Sequence, residues 1–200
     1  TFLTNINNII NEIKILVLVE TNITDSENNF YNINGFNSFF LNREGRGGGI
    51  AVYIKEDIAH SKISISTKSF ELIQLEININ SKPISLLSIY RPPHLKVIEF
   101  VTEVETIIAN IKKRQEIIIV GDMNIDIKTK NITTTTYLDM MMSNGMQSMV
   151  NESTHEDVQK HTSTSIDHVF MKNNQACSNT FTTIKKTTIS DHYSLFCCMQ

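Results

Sequence analysis

Gly121-Asp122-Met123-Asn124 closes the apolar run 116–120, so a strand that reads as buried ends in an acid and an amide two residues apart. In extended chain, residues i and i+2 face the same side, which lets both groups meet one ligand. A carboxylate placed there can orient or deprotonate a water for attack on phosphorus, and an amide can hold a phosphate oxygen without adding charge. The same four residues also fit a Gly-Asp turn capped by asparagine. Glu20, at the exit of the apolar run 15–19, is suited to hold Mg2+ or Mn2+, hard ions that take carboxylate oxygens and leave other positions to water and phosphate. By itself it equally fits a surface residue at a strand end. Tyr90, followed by Arg91-Pro92-Pro93, puts a phenol at another strand end, either as a donor to a phosphate oxygen or as a core aromatic.

Ser190-Asp191-His192 precedes the last apolar run. Asp167, in Ser165-Ile166-Asp167-His168, is the candidate to accept a hydrogen bond from one nitrogen of His192, fixing its tautomer and favouring its charged form. His192 would then stabilise charge developing at phosphorus or transfer a proton. Asp191, facing the opposite way if the segment is a strand, is left for the metal region. His60, His94, His155, His161 and His168 lack metal-ligand spacing and read as surface or packing residues.

These groups lie far apart in the chain, so strand ends must gather them. In an open α/β scaffold such ends converge on one cleft. Phe2, Ile6, Ile9, Ile10 and Ile13 keep helical spacing and predict an amphipathic helix leading into the strand 15–19. Runs at 36–41 and 49–54 flank a Gly-rich turn and predict a hairpin. Strands are expected at 63–66, 72–77 and 84–90, the last buried on both faces and stopped by Pro92-Pro93. A helix follows over 97–114, with Lys112, Lys113 and Arg114 at its negative end. The Thr-rich stretch 133–136 reads as a loop before a short helix at 136–143, and further strands are expected at 146–150, 166–171 and near Phe181 and Ser194. Many strands with about three helices predict two packed sheets with helices outside, a four-layer α/β sandwich.

At 200 residues, 40% hydrophobic and 20% charged, the chain suits one globular domain with a core of its own. A net charge of −3 argues against nucleic-acid binding through a broad basic surface, although a bound divalent cation would change the local balance. No run reaches the ~18 apolar residues of a membrane helix, and no basic-then-apolar leader opens the chain. The expectation is a soluble intracellular protein with no membrane partner. Cys177, Cys197 and Cys198 show no CxxC spacing and read as buried thiols.

Taken in order, Glu20-Thr21-Asn22, Gly47-Gly48-Gly49-Ile50-Ala51, Tyr90-Arg91-Pro92-Pro93, Gly121-Asp122-Met123-Asn124, Ile166-Asp167-His168 and Ser190-Asp191-His192 resemble the endonuclease/exonuclease/phosphatase superfamily. Within it they resemble the endonuclease domain of non-LTR retrotransposons. The resemblance implies a DNase I-like α-β-β-α sandwich of two mixed sheets. It also implies a monomeric domain that nicks one strand of DNA and leaves a 3′ hydroxyl to prime reverse transcription. A reverse transcriptase domain is then expected beyond Gln200, and a nuclear location.

On this likeness Glu20 and Asp191 belong to the Mg2+ or Mn2+ site, and Tyr90 contacts phosphate. Asp122 and Asn124 position water and the scissile phosphate, Asp167 orients the histidine, and His192 is the terminal histidine. Three features depart from the pattern. The opening strand that usually carries an asparagine is missing, which predicts an N-terminally truncated domain; Asn22 stands where tryptophan is usual; and Thr154-His155 stands where Thr-Arg is usual. A histidine cannot reproduce the two-pronged grip of an arginine on phosphate. An inactive or merely DNA-binding remnant, or a phosphatase of the same fold, are the alternative readings.

Overall fold

The computed structural model describes residues 9–43, 47–113, 115–172, 180–186 and 190–199. A six-stranded sheet forms its centre, built from β4 (His60–Ile63), β5 (Glu71–Ile79), β6 (Lys82–Tyr90), β7 (Glu116–Asp122), β11 (Asp167–Lys172) and β8 (Gln147–Ser148), in that spatial order. β6 and β7 are parallel, joined across helix α1 (Val97–Asn110), while the other neighbours are antiparallel. A three-stranded sheet packs against it in the order β1 (Ile15–Val19), β3 (Ile50–Lys55), β2 (Phe36–Leu41). A 3-10 helix (Asp25–Tyr31), helix α2 (Ile132–Ser143) and two strand pairs, β9 (His155–Asp157) with β10 (Thr162–Thr164) and β12 (Phe181–Lys185) with β13 (Ser194–Cys198), are the other elements of the described residues.

The period-2 alternation of the central strands puts an apolar cluster on each face of the six-stranded sheet. Ile50, Val52 and Ile54 of β3 meet Ile73, Leu75 and Ile77 of β5, Ile84 and Leu86 of β6, Ile118 of β7 and Val169 and Met171 of β11 in the layer between the sheets. Leu87, Ile89, Ile117, Ile119 and Phe170 point the other way, onto α1 and α2. Helix α1 has no side-chain cap and no basic residue in its last turn. It is held instead by burial of Phe100, Val101, Val104, Ile107 and Ile108. Each of these is worth about 2 kcal/mol, against about 1 kcal/mol for a cap.

Several expected boundaries move. Helix α1 stops at Asn110, so Lys112 and Lys113 lie past its end. β4 is found at 60–63, ahead of the expected 63–66. The threonine stretch is helical. Asn131 caps α2 by accepting from the Thr134 amide at 2.9 Å, and Thr135 and Thr136 donate back to carbonyls one turn earlier at 2.9 Å each, so the hydroxyls are satisfied without leaving the helix. Cys197 and Cys198 are exposed, because β13 belongs to a two-stranded pair with little cover. The expected helix at 2–13 lies largely outside the described residues, and 9–12 form a turn. Ile10 and Ile13 pack with Tyr53 and Phe36 on the outer side of the three-stranded sheet.

Candidate active site

Registers across the central sheet bring the polar strand ends together. Glu71 pairs with Tyr90, Tyr90 with Asp122, and Asp122 with Asp167, so four adjacent strands carry one row of acids and a phenol. Each residue of the row shares parity with inter-sheet residues of its own strand, namely Ile73, Leu86, Ile118 and Val169, so the row continues the inter-sheet face to its edge. Gly121 makes this alignment possible. Its φ is +142°, and a Cβ there would stand 1.9 Å from the Ile89 carbonyl oxygen, so only glycine lets β7 lie this close to β6.

The other sheet supplies Glu20, directly after β1, which accepts a hydrogen bond from the Tyr90 phenol. Its segment is clamped to the Gly-rich turn. The Asn22 amide donates to the Gly48 carbonyl at 3.1 Å, the Asn22 side chain accepts from the Gly47 amide at 2.8 Å, and the Thr21 amide donates to the Gly49 carbonyl at 3.3 Å. Gly49, at φ +92°, donates its amide to Glu71 at 2.6 Å, and a Cβ on it would meet the Thr21 hydroxyl at 2.5 Å. These glycines therefore join Glu20 to Glu71. The residues 44–46 of the expected turn lie outside the described residues.

Asp122 and Asn124 do meet, but through a turn. The strand ends at Asp122, and Asn124 takes φ +47°, folding back so that its amide N–H and side-chain amide donate to the two Asp122 oxygens at 2.8 and 3.0 Å. The expected extended geometry fails because the chain reverses here. The side chain of Asn124 also donates to the Arg91 carbonyl at 3.0 Å. Arg91 is buried, and its guanidinium donates to the carbonyls of Met123, Leu95 and Asn124, tying down the loop after β7. In Tyr-Arg-Pro-Pro the arginine therefore builds the floor of the site.

Asp167 is fixed from beneath by Thr154, whose buried hydroxyl accepts from the amides of Ile166 and Asp167 at 3.1 and 3.0 Å. Its two oxygens each lie 3.0 Å from Nδ1 of His192, a donor position, as the sequence anticipated. Asp122, Asp167 and His192 offer donor atoms within 4.8 Å of one another. Asp191 goes elsewhere. Residues 190–192 bend instead of running as a strand, so Asp191 and His192 do not face apart. The Asp191 side chain, 64% exposed, meets Nε2 of His155 at 3.3 Å. Of the two expected metal ligands, Glu20 thus stands with Tyr90 and Asp191 with His155.

Crowding of acids in this row sets its electrostatics. Burial, then the neighbouring Asp167, push the Asp122 carboxyl up to about 7, against the Asn124 amide and His192, which favour its charge. Burial disfavours the His192 cation, but the hydrogen bond to Asp167 and the charges of Asp167, Asp122 and Asp191 outweigh it and hold the imidazole up at about 9. Tyr90 is raised above the usual phenol range by burial and by Glu20. Glu71 is raised by burial, with the Gly49 amide and Arg43 opposing, and its Oε1 is buried without a hydrogen bond. A row of buried and half-buried acids with one imidazolium fits a hard divalent cation, and the Arg43 guanidinium 3.8 Å from Glu71 Oε1 offsets part of its charge.

The family described as endonuclease-reverse transcriptase matches residues 84–196, from β6 through β13. The chain belongs to that family. None of the curated proteins compared matches the sequence. Among solved structures, the endonuclease domain of TRAS1, a telomere-specific non-LTR retrotransposon, superposes with a TM-score of 0.76 at 13% identity, covering 99% of this chain and 90% of that one. An AP endonuclease from Archaeoglobus fulgidus gives 0.69 at 18% identity, over 95% of this chain and 90% of its own. An endonuclease/exonuclease/phosphatase family protein from Leptotrichia buccalis gives 0.69 at 14%, over 98% and 90%. At such identities the likeness is one of fold, the DNase I-like α/β sandwich.

The roles of four residues of this family member were not visible in the motifs. Glu71 sits in an alternating strand, and only its register opposite Tyr90 marks it. Thr154, Arg91 and His155 stood in or beside quoted motifs, but what they do shows only in contacts across 13, 32 and 36 residues of chain. His168 is a packing residue, with Nδ1 accepting from the Tyr137 hydroxyl at 3.0 Å and Nε2 donating to the Ser165 carbonyl at 3.1 Å.

Proposed function

We propose that this domain is a divalent-metal-dependent phosphodiesterase that nicks DNA and leaves a 3′ hydroxyl for a reverse transcriptase of the same element to extend. The observation that carries this reading is the Asp122–Asp167–His192 cluster beside Glu20 and Tyr90. Asp122, titrating near 7, is matched to take a proton from water at neutral pH. As the water oxygen bonds to phosphorus, the bond to the 3′ oxygen breaks, and that oxygen leaves and takes a proton from solvent. His192, charged and anchored by Asp167, faces the anionic phosphate, and Tyr90 keeps its proton as a further donor. Asn124 acts through Asp122 as a positioning residue.

Glu20 and Glu71, with Asp122 beside them, would hold Mg2+ or Mn2+, which supplies charge neutralisation and polarisation at the phosphate. Asp191 would reach that ion only by leaving His155. The reading carries with it work on nuclear DNA. Purified protein with Mg2+ or Mn2+ should convert supercoiled plasmid to open circle. No nicking with either ion, or faster release of phosphate from a small phosphomonoester, would overturn the proposal.

A further inference from the structure

The contact that draws Asp191 away from the acidic row belongs to a cluster of ligating atoms. His155, Asp191 and His192 offer one donor each, all within 4.8 Å of one another. Nε2 of His155 and Oδ2 of Asp191 are 3.3 Å apart, close to the edge of a tetrahedron around an ion bound at about 2.0–2.1 Å. The two imidazole centroids are 4.8 Å apart.

Each of the three side chains also has an outer partner. Nδ1 of His155 lies 3.1 Å from the Thr164 hydroxyl, Nδ1 of His192 lies 3.0 Å from Asp167, and Oδ1 of Asp191 accepts from Ser190 at 3.2 Å. Such partners orient metal-binding imidazoles and raise their basicity. The backbone holds the two segments in place. His155 and His192 form an antiparallel bridge, the Glu156 amide donates to the Asp191 carbonyl at 3.0 Å, and the Tyr193 amide donates to the Thr154 carbonyl at 2.7 Å.

We propose that His155, Asp191 and His192 form a second cation site, for a transition ion of the Zn2+ class, beside the acidic row and sharing His192 with it. Two imidazoles and one carboxylate suit Zn2+ or Co2+, whereas Mg2+ prefers oxygens. The site is accessible, since Asp191 is exposed. One consequence rests on the nuclease reading: an ion that engages His192 takes it from the phosphate, so Zn2+ restrains nicking supported by Mg2+.

The test is titration of the full chain with Co2+. Bands in the visible range typical of four-coordinate Co2+ should grow to one equivalent, be displaced by Zn2+, and vanish in both His155→Ala and His155→Gln. Zn2+ should raise the melting temperature of the native chain and not that of either variant. Absence of the bands in native protein, or their persistence in the variants, overturns the site. If neither variant folds, the native protein decides by labelling with diethyl pyrocarbonate. Zn2+ should protect His155 and His192, and unprotected labelling overturns the site. Because these readouts do not use DNA, bands without nicking would sink the nuclease reading alone, and nicking without bands would sink the cation site alone.

Discussion

His168 and His192 both lie against Asp167, one as its neighbour in β11 and the other across the edge of the sheet. Burial pushes His168 down to about 4, because its partners are a phenol and a carbonyl, whereas the carboxylate of Asp167 holds His192 up at about 9. The difference follows the two faces of one strand. Odd positions of β11 continue the inter-sheet face to the acidic row, and even positions enter the packing around Tyr137 and Phe170. The same residue type becomes a cation poised for an anionic ligand on one face and a neutral core ring on the other.

Breaking the acidic side should cost most in activity. Asp122→Asn removes the base and should lower nicking by ~10³-fold, read as open-circle plasmid at fixed Mg2+. His192→Ala should lower the rate per folded molecule by ~10²–10³-fold. His168→Ala should do the reverse. It strands the Tyr137 hydroxyl and opens a cavity, costing about 2–4 kcal/mol in denaturant unfolding, with nicking per folded molecule retained. If His168→Ala abolished nicking in folded protein, the contrast between the faces would fail.

Titration sharpens the contrast with opposite slopes. His192 has a folded value near 9, above its ordinary 6.5, so its stabilisation is complete below about 6.5 and is lost as pH rises through about 9. His168, folded near 4, gives the opposite: stability is lost as pH falls from about 6.5 toward 4. Urea midpoints across pH should lose the alkaline decline in His192→Ala and the His168 part of the acid decline in His168→Ala. Nicking should rise through about 7 as Asp122 ionises and fall through about 9 as His192 loses its proton. The smallest effect is expected from Tyr90→Phe. Loss of one phenol donor to Glu20 should slow nicking by about tenfold, and no change would remove Tyr90 from the site.

Local chemistry was legible in the residues themselves. Alternation and apolar runs placed β1, β2, β3, β5, β6, β7 and β11, and the Asp167–His192 contact followed from pairing an acid with an imidazole. The Thr-rich start of α2 misread as a loop because threonine is a weak helix former, and its rescue lies in a cap and back-bonded hydroxyls that propensity does not count. β9 and β10 are three residues each, too short for any period to show.

Sequence by itself determined which side chains end the strands; that β7 needs glycine at 121 shows only in its approach to the Ile89 carbonyl. Tertiary structure alone decided that Glu71 joins the row, that Arg91 serves the loop after β7, and that Asp191 turns to His155. The reason is that register and loop direction depend on contacts between residues tens of positions apart, and these contacts leave no trace in local spacing.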